Sequence, residues 1–273
     1  MVDALRIAVV QMSSQDDVAK NLARAAELAK RAVAEGARLI VLPENFAYFG
    51  PEDGKRRVAE RLDGDGRGPI ATAIADIAQR SGAYVVAGGM PERSDDAERP
   101  FNTCLVIGPD GAPVGRYRKV HLFDVEVGDG QRYQESAATM PGTEPVVVSL
   151  AGFKVGLSIC YDVRFPELYR RLADLGAEIV VVPAAFTLAT GKDHWHVLLR
   201  ARAIEGQAYV AAAAQWGVHP GGRRTYGKSL IADAWGDVIA QCSDGEGFAV
   251  ATIERPKLDE VRARLPSLRH RRL

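Results

Sequence analysis

Three short apolar runs, over residues 7–11, 39–42 and 84–88, constrain the fold of this chain more than any other feature. None alternates apolar with polar residues, so each reads as a strand buried on both faces. Helical patterns lie between them. Val18, Leu22, Ala26, Ala29 and Val33 recur at helical spacing after Asp16 and Asp17, and Gly36 supplies the stop. Residues 69–80 place Ile70, Ile74 and Ile77 on one face before Gly82. Strands alternating with helices, and apolar on both faces, mean an α/β fold.

The pattern then changes. Residues 103–107, the turn Pro109-Asp110-Gly111 and residues 113–117 read as a hairpin, with Lys119 at its far end. Residues 120–144 form a long irregular stretch, and loops of that length in compact domains are usually functional. Residues 146–150 and 154–159 form a second hairpin that ends at Cys160. A helix with Leu168, Leu172 and Leu175 follows, then the apolar run 179–182 and Pro183. The rest reads as a helix over 193–205, a strand over 209–215, a hairpin of 230–232 with 238–241, a strand over 248–253 and a short helix from Pro256. No repeat, low-complexity segment or linker interrupts this order. Residues 1–273 are therefore expected to form a single domain with more than one sheet.

Composition narrows the function. Of 273 residues, 47% are hydrophobic and the net charge is zero, which offers no footprint for nucleic acid or an anionic membrane. Three cysteines, an odd number, argue against a disulfide framework and for a reducing compartment. The first residues run straight into a strand pattern without the marks of a signal peptide. No apolar run is long enough to span a bilayer. These features predict a soluble, cytoplasmic protein. The basic tail over 261–272 is a solvated end or a surface that docks on a partner subunit.

The chemistry concentrates around Gly156-Leu-Ser-Ile-Cys160-Tyr-Asp-Val-Arg164-Phe-Pro-Glu167. A cysteine where a strand turns into a helix sits near the helix's positive end, which favours the nucleophilic thiolate. The segment alone leaves a second reading open, a buried structural cysteine. Glu44 and Lys119 occupy the same kind of place, at the ends of strands, where α/β sheets assemble sites. An ammonium lowers a thiol pKa and holds an oxyanion. A carboxylate takes the thiol proton and later activates water. Read singly, the three remain a surface Glu, a surface Lys and a core Cys.

Taken together, several segments resemble the nitrilase, or carbon–nitrogen hydrolase, superfamily, and within it the branch of ω-amidases and deaminated-glutathione amidases. They are Leu42-Pro-Glu44-Asn-Phe46, Tyr117-Arg-Lys119-Val-His-Leu-Phe-Asp124, Ser158-Ile-Cys160 through Glu167, Gln134-Glu135-Ser136, Pro183-Ala-Ala-Phe186-Thr187, and His194-Trp195 with Leu199 through Glu205. The resemblance covers nearly the whole chain. It implies a four-layer αββα sandwich that forms a homodimer or higher homo-oligomer across the helices flanking the cysteine. It implies Cys160 as nucleophile, Glu44 as general base, Lys119 as oxyanion holder and Glu135 as a positioning glutamate. It further implies that Tyr161, whose N–H follows the cysteine, and Arg164, Phe186 and Thr190 contact the substrate. No metal or organic cofactor is required. The expected reaction is hydrolysis of a small linear amide, the ω-amide of a 2-oxo acid or a deaminated peptide. The alternatives are an N-carbamoyl amine hydrolase or nitrilase, or, in another class, a catalytically silent binding subunit.

Other signals carry less. Gly222-Arg-Arg-Thr-Tyr-Gly-Lys228-Ser229 matches the phosphate-loop pattern, but the residues after it read as strand and turn rather than as the helix that loop requires. His194 and His196 stand two apart on a helix and point to different faces, so packing or capping explains them better than a metal. His121, near Lys119, suggests a Cys–His pair, but Glu44, Lys119 and Cys160 account for more residues. Cys104, Cys242 and Trp195 read as structural. Arg164 is expected to fork onto a substrate carboxylate, against the plainer expectation of a salt bridge to Glu167.

Overall fold

A computed structural model describes residues 3–63, 67–127 and 132–272. The first half builds β1 (Ala4–Gln11), α1 (Val18–Ala34), β2 (Leu39–Leu42), the short α2 (Glu52–Arg57), α3 (Pro69–Ser81), β3 (Tyr84–Glu92), β4 (Phe101–Ile107) and β5 (Pro113–Arg118). A small ribbon of β6 (Asp124–Glu126) and β7 (Arg132–Gln134) follows. The second half builds β8 (Val146–Leu150), β9 (Phe153–Leu157), α4 (Pro166–Asp174), β10 (Ile179–Val181), α5 (Leu188–Gly206), β11 (Tyr209–Ala212), β12 (Trp216–Val218), β13 (Arg224–Tyr226), β14 (Leu230–Ala232), β15 (Val238–Gln241), β16 (Gly247–Glu254) and α6 (Arg255–Arg264).

Two six-stranded sheets result, ordered β16-β1-β2-β3-β4-β5 and β15-β14-β11-β10-β9-β8. Each has three parallel central strands, β1-β2-β3 in one and β9-β10-β11 in the other, flanked by antiparallel neighbours. The period-2 geometry of strands sorts the apolar runs between layers. Leu39, Val41, Val86, Cys104 and Val106 face the second sheet, in one core with Val155, Leu157 and Ile179. Ile40, Leu42, Val85, Ala87 and Leu105 face outward onto Ala25, Leu28, Ile70 and Ile74 of α1 and α3. The second sheet is covered on its far side by α4 and α5, through Leu168, Leu172, Trp195 and Leu199. Each such side chain contributes roughly 1.5–3 kcal/mol when fully buried. The four layers are the αββα sandwich expected from the resemblance.

Several boundaries differ from those expected of the sequence. The stretch 120–144 is not irregular throughout: it holds the β6–β7 ribbon and a 3₁₀ turn at Glu135–Ala137. The helix expected over 193–205 begins at Leu188, because Thr187 caps it by accepting from the Thr190 N–H. The strand expected over 209–215 ends at Ala212, and β12 then leaves the sheet to pair with β13. A strand bend at Gly89, with φ of 64°, lets β3 continue past Gly88 to Glu92.

Candidate active site

Glu44, Lys119, Glu135 and Cys160 come from four different strand ends or turns and meet in one cavity of about 240 Å³. Tyr161, Arg164, Phe186 and Thr190 line the same cavity. Glu44 follows β2, and Asn45 turns the chain away with φ of 59°. Its Oε1 accepts from Lys119 Nζ at 2.9 Å and from Asn102 Nδ2 at 2.9 Å. Its Oε2 accepts from the Ala185 N–H at 2.9 Å. Lys119 Nζ also donates to Glu135 Oε2 at 2.8 Å and Oε1 at 3.1 Å. Glu135 is held in turn by the Phe123 N–H at 2.7 Å.

This arrangement fixes the charges. Burial alone would neutralise Lys119, but Glu135 and Glu44 outweigh it and hold the ammonium well above its ordinary pKa. Burial also works against the Glu135 carboxylate, yet Lys119 and Lys55 keep it below the ordinary range. An ammonium between two carboxylates is locked in place and stays charged.

Cys160 opens a 3₁₀ turn, Cys160–Arg164, with its own φ at 47°. A non-glycine residue in that region is strained and persists only where the surroundings hold it. The clamp is Asp162. Its carboxylate accepts from the Ile159 N–H at 2.8 Å, the Tyr117 hydroxyl at 2.7 Å and the His121 N–H at 3.0 Å, and it lies 2.8 Å from His121 Nδ1. The Cys160 N–H donates to Pro183 O at 2.8 Å. The expectation of a thiolate favoured by a helix N-terminus is corrected here. The α4 helix starts only at Pro166, and Cys160 is buried beside Glu44. Burial and the Glu44 carboxylate push its thiol well above the ordinary value, and the pull of Lys119 is weaker. The packing disfavours the thiolate and sets the thiol beside a carboxylate.

Arg164 has no ion pair with Glu167 among the described residues. Its guanidinium lies 4.9 Å from the Phe186 ring centroid and 5.8 Å from that of Tyr161, and Nη1 sits 3.2 Å from His194 Nδ1. It closes the turn that begins at Cys160 rather than starting α4. Thr190 Oγ1 lies 2.9 Å from Thr187 Oγ1 in the α5 cap.

The weaker signals resolve as packing. His121 stacks on Phe165 at 3.7 Å and pairs with Asp162 rather than with the cysteine. His196 lies 2.7 Å from Gln241 Oε1, and no group of metal-ligating side chains forms among the described residues. Trp195 is buried and donates to Lys228 O at 2.8 Å. Cys104 and Cys242 are buried and free. The phosphate-loop lookalike opens no helix: β13 runs through it, Lys228 pairs with Asp244, and Ser229 is buried against Val10.

Sequence reasoning misses Asn102. It bridges the two carboxylates, at 2.9 Å to Glu44 and 3.3 Å to Glu135, while its backbone carbonyl accepts the Lys119 N–H at 2.8 Å. The one signal for it is a polar residue paired across the hairpin from the Lys119 end. The lookalike loop is not remote from the site either, since Arg223 and Arg224 line the cavity, as does Lys55 of α2.

Comparison with known proteins gives this arrangement a family. The model described as Carbon-nitrogen hydrolase matches residues 6–263. The chain is 47% identical to the deaminated glutathione amidase of Synechocystis over 97% of both chains. It is 36% identical to the omega-amidase NIT2 of Danio rerio, over 98% of this chain and 94% of that one. The crystal structure of Saccharomyces cerevisiae Nit3, a member of branch 10 of the nitrilase superfamily, superposes with a TM-score of 0.87 at 29% identity, over 97% of this chain and 96% of that one.

Proposed function

The chain belongs to the carbon–nitrogen hydrolase family, and from that premise we propose that it is an amidase acting through a thioester on Cys160. Its substrate is a linear amide that carries a carboxylate elsewhere, the ω-amide of a 2-oxo acid or a deaminated peptide. The relatives that act on deaminated glutathione and ω-amides support this class. The single observation that carries the reading is the Lys119 ammonium fixed between Glu44 at 2.9 Å and Glu135 at 2.8 Å in the cavity that holds Cys160.

The chemistry follows from those charges. Glu44 takes the thiol proton as sulfur attacks the amide carbon. The oxyanion forms against Lys119 and the Tyr161 N–H, which need no reorganisation because they are already held. The C–N bond breaks as Glu44 returns the proton to the leaving amine or ammonia. Glu44 then deprotonates water, which adds to the thioester and releases the acid and the Cys160 thiol. Arg164 forks onto the substrate carboxylate, with Phe186 and Thr190 shaping the wall beside it. Glu135 and Asn102 act through Lys119 and Glu44.

Three buried, free cysteines suit the reducing cytoplasm. No helix among the described residues is long and apolar enough to cross a membrane. The exposed Val197 and Ile204 of α5, together with Trp235, suit a homodimer interface.

The test is an ammonia- and amine-release screen over ω-amides, N-carbamoyl amines and nitriles, with intact-mass detection of an acyl adduct on Cys160. Turnover confined to amides and lost in Cys160→Ala is the expected result. Hydrolysis of carbamoyl amines or nitriles alone replaces the amidase reading, and no turnover with no adduct points to a silent subunit.

A further inference from the structure

The Cys160 turn is clamped at its entry by Asp162, and its exit needs a donor that its own sequence withholds. Residues Cys160–Arg164 form the 3₁₀ turn, and α4 begins at Pro166. The Phe165 N–H donates to Asp162 O at 3.0 Å. The next carbonyl, that of Val163, falls opposite Pro166, which has no N–H to offer. Val163 is fully buried, so its carbonyl has to be paired within the protein.

The donor comes from α5. Arg202 Nε donates to Val163 O at 2.8 Å. The Arg202 side chain is only 7% exposed, a costly place for a charge unless it is paired. Its Nη1 donates to the Glu205 carboxylate, and its guanidinium lies 5.2 Å from the Tyr169 ring centroid. Arg170 of α4 holds Glu205 in turn, donating to its backbone carbonyl at 2.9 Å and lying 3.5 Å from its carboxylate. Tyr169 carries the contact round to the other side of the cysteine. Its hydroxyl lies 2.9 Å from Oγ of Ser158, at the end of β9, and that Oγ donates to Val181 O at 2.8 Å. One buried cation thus touches the chain after Cys160 directly and the chain before it through Tyr169. Among the described residues, Arg202 is not one that lines the cavity.

We propose that Arg202 is a positioning residue for the nucleophile: by holding the Val163 carbonyl it fixes the exit of the turn, and with it the aim of the Cys160 sulfur and the Tyr161 N–H at one substrate carbonyl. This rests on the amidase reading above. A guanidinium suits the task because its planar fork serves Val163 O and Glu205 from separate nitrogens while its face rests on Tyr169. A lysine there keeps the charge, but its one nitrogen goes to the Glu205 carboxylate and leaves Val163 O without a donor. Charge and fold are then preserved, and the aim of the turn is lost.

The experiment compares Arg202→Lys and Arg202→Met with the unchanged residue, all on a Cys104→Ala/Cys242→Ala background and well below each Tm. Arg202→Lys should hold Tm within a few degrees, yet its kcat on an ω-amide should fall about 10- to 100-fold, the range of a small misplacement of reacting groups. KM should stay close to the parent value, because Arg164 is also held from outside the turn by Phe186 and His194. Alkylation of Cys160 by iodoacetamide, read by intact mass, should become faster, since alkylation needs access to the thiol and not its aim. Arg202→Met, which leaves Glu205 unpaired as well, should show the same split with a lower Tm; if it does not fold, the lysine variant decides. A parent-like kcat in Arg202→Lys overturns the positioning role, and so does a loss of kcat that only follows the loss of folded protein. If the parent turns over no amide, the amidase reading falls and the alkylation rate decides on Arg202: faster in Arg202→Lys keeps its role, unchanged removes it. Amide turnover in the parent with an unchanged kcat in Arg202→Lys removes the role and leaves the amidase reading in place.

Discussion

At the scale of single residues, opposite and unequal effects act on one thiol. Burial and Glu44 raise the Cys160 pKa, and Lys119 lowers it. Removing the carboxylate therefore lowers the thiol pKa and increases thiolate at neutral pH. Glu44→Gln should shift the pH profile of Cys160 alkylation by iodoacetamide downward, while amide turnover falls on the order of 10²–10⁴-fold. Lys119→Met should shift the same profile upward. A Cys104→Ala/Cys242→Ala background makes the readout specific, since all three thiols are buried and Cys160 is the one of them that lines the cavity. An alkylation profile in Glu44→Gln that stays put or moves upward would remove Glu44 as the base coupled to the thiol. Reactivity and catalysis are thus expected to move in opposite directions in one variant.

At the scale of elements, the strand-to-turn junction after β9 depends on Asp162 more than on helix geometry. Asp162 is fully buried and gathers donors from Ile159, Tyr117 and His121. Its loss leaves those donors unpaired, each at about 1–3 kcal/mol. Asp162→Ala should cost on the order of 3 kcal/mol and lower Tm by roughly 10 °C. A scanning calorimetry midpoint within a degree or two of wild type would show that the strained Cys160 turn is held by something else. The neighbouring β3 bend is tied to the site in the same way. A Cβ on Gly89 would lie 2.7 Å from Glu44 Cγ, so even the smallest side chain there displaces that carboxylate.

At the scale of the whole molecule, the site exists only where two sheets meet. Glu44 and Lys119 end strands of one sheet, and Cys160 and Ala185 follow strands of the other. Gln215 ties the two together by donating to Glu44 O at 3.0 Å and to Ser14 Oγ at 2.9 Å. The outer layers leave Val197 at 66%, Ile204 at 45% and Trp235 at 57% exposure. If this apolar face is a dimer contact, light scattering at micromolar concentration should give twice the chain mass of 29.4 kDa. Val197→Asp with Trp235→Asp should reduce it to a single chain. A wild-type mass of one chain rejects the interface. The sequence by itself determined the layers, because a run apolar at every position must be covered on both faces and an i, i+3, i+4 pattern must cover it. It also singled out Glu44, Lys119 and Cys160, because strand ends are readable and the motifs around them are distinctive. Asn102, Asp162 and Arg223 waited on the tertiary structure. Their roles depend on distant partners, Glu44 at 58 positions from Asn102, Tyr117 at 45 from Asp162 and Glu52 at 171 from Arg223, brought together by sheet packing that no local pattern encodes. The direction in which the Cys160 thiol is pushed was decided there too, because the sequence places the thiol near a turn, and only packing shows that it is buried against a carboxylate.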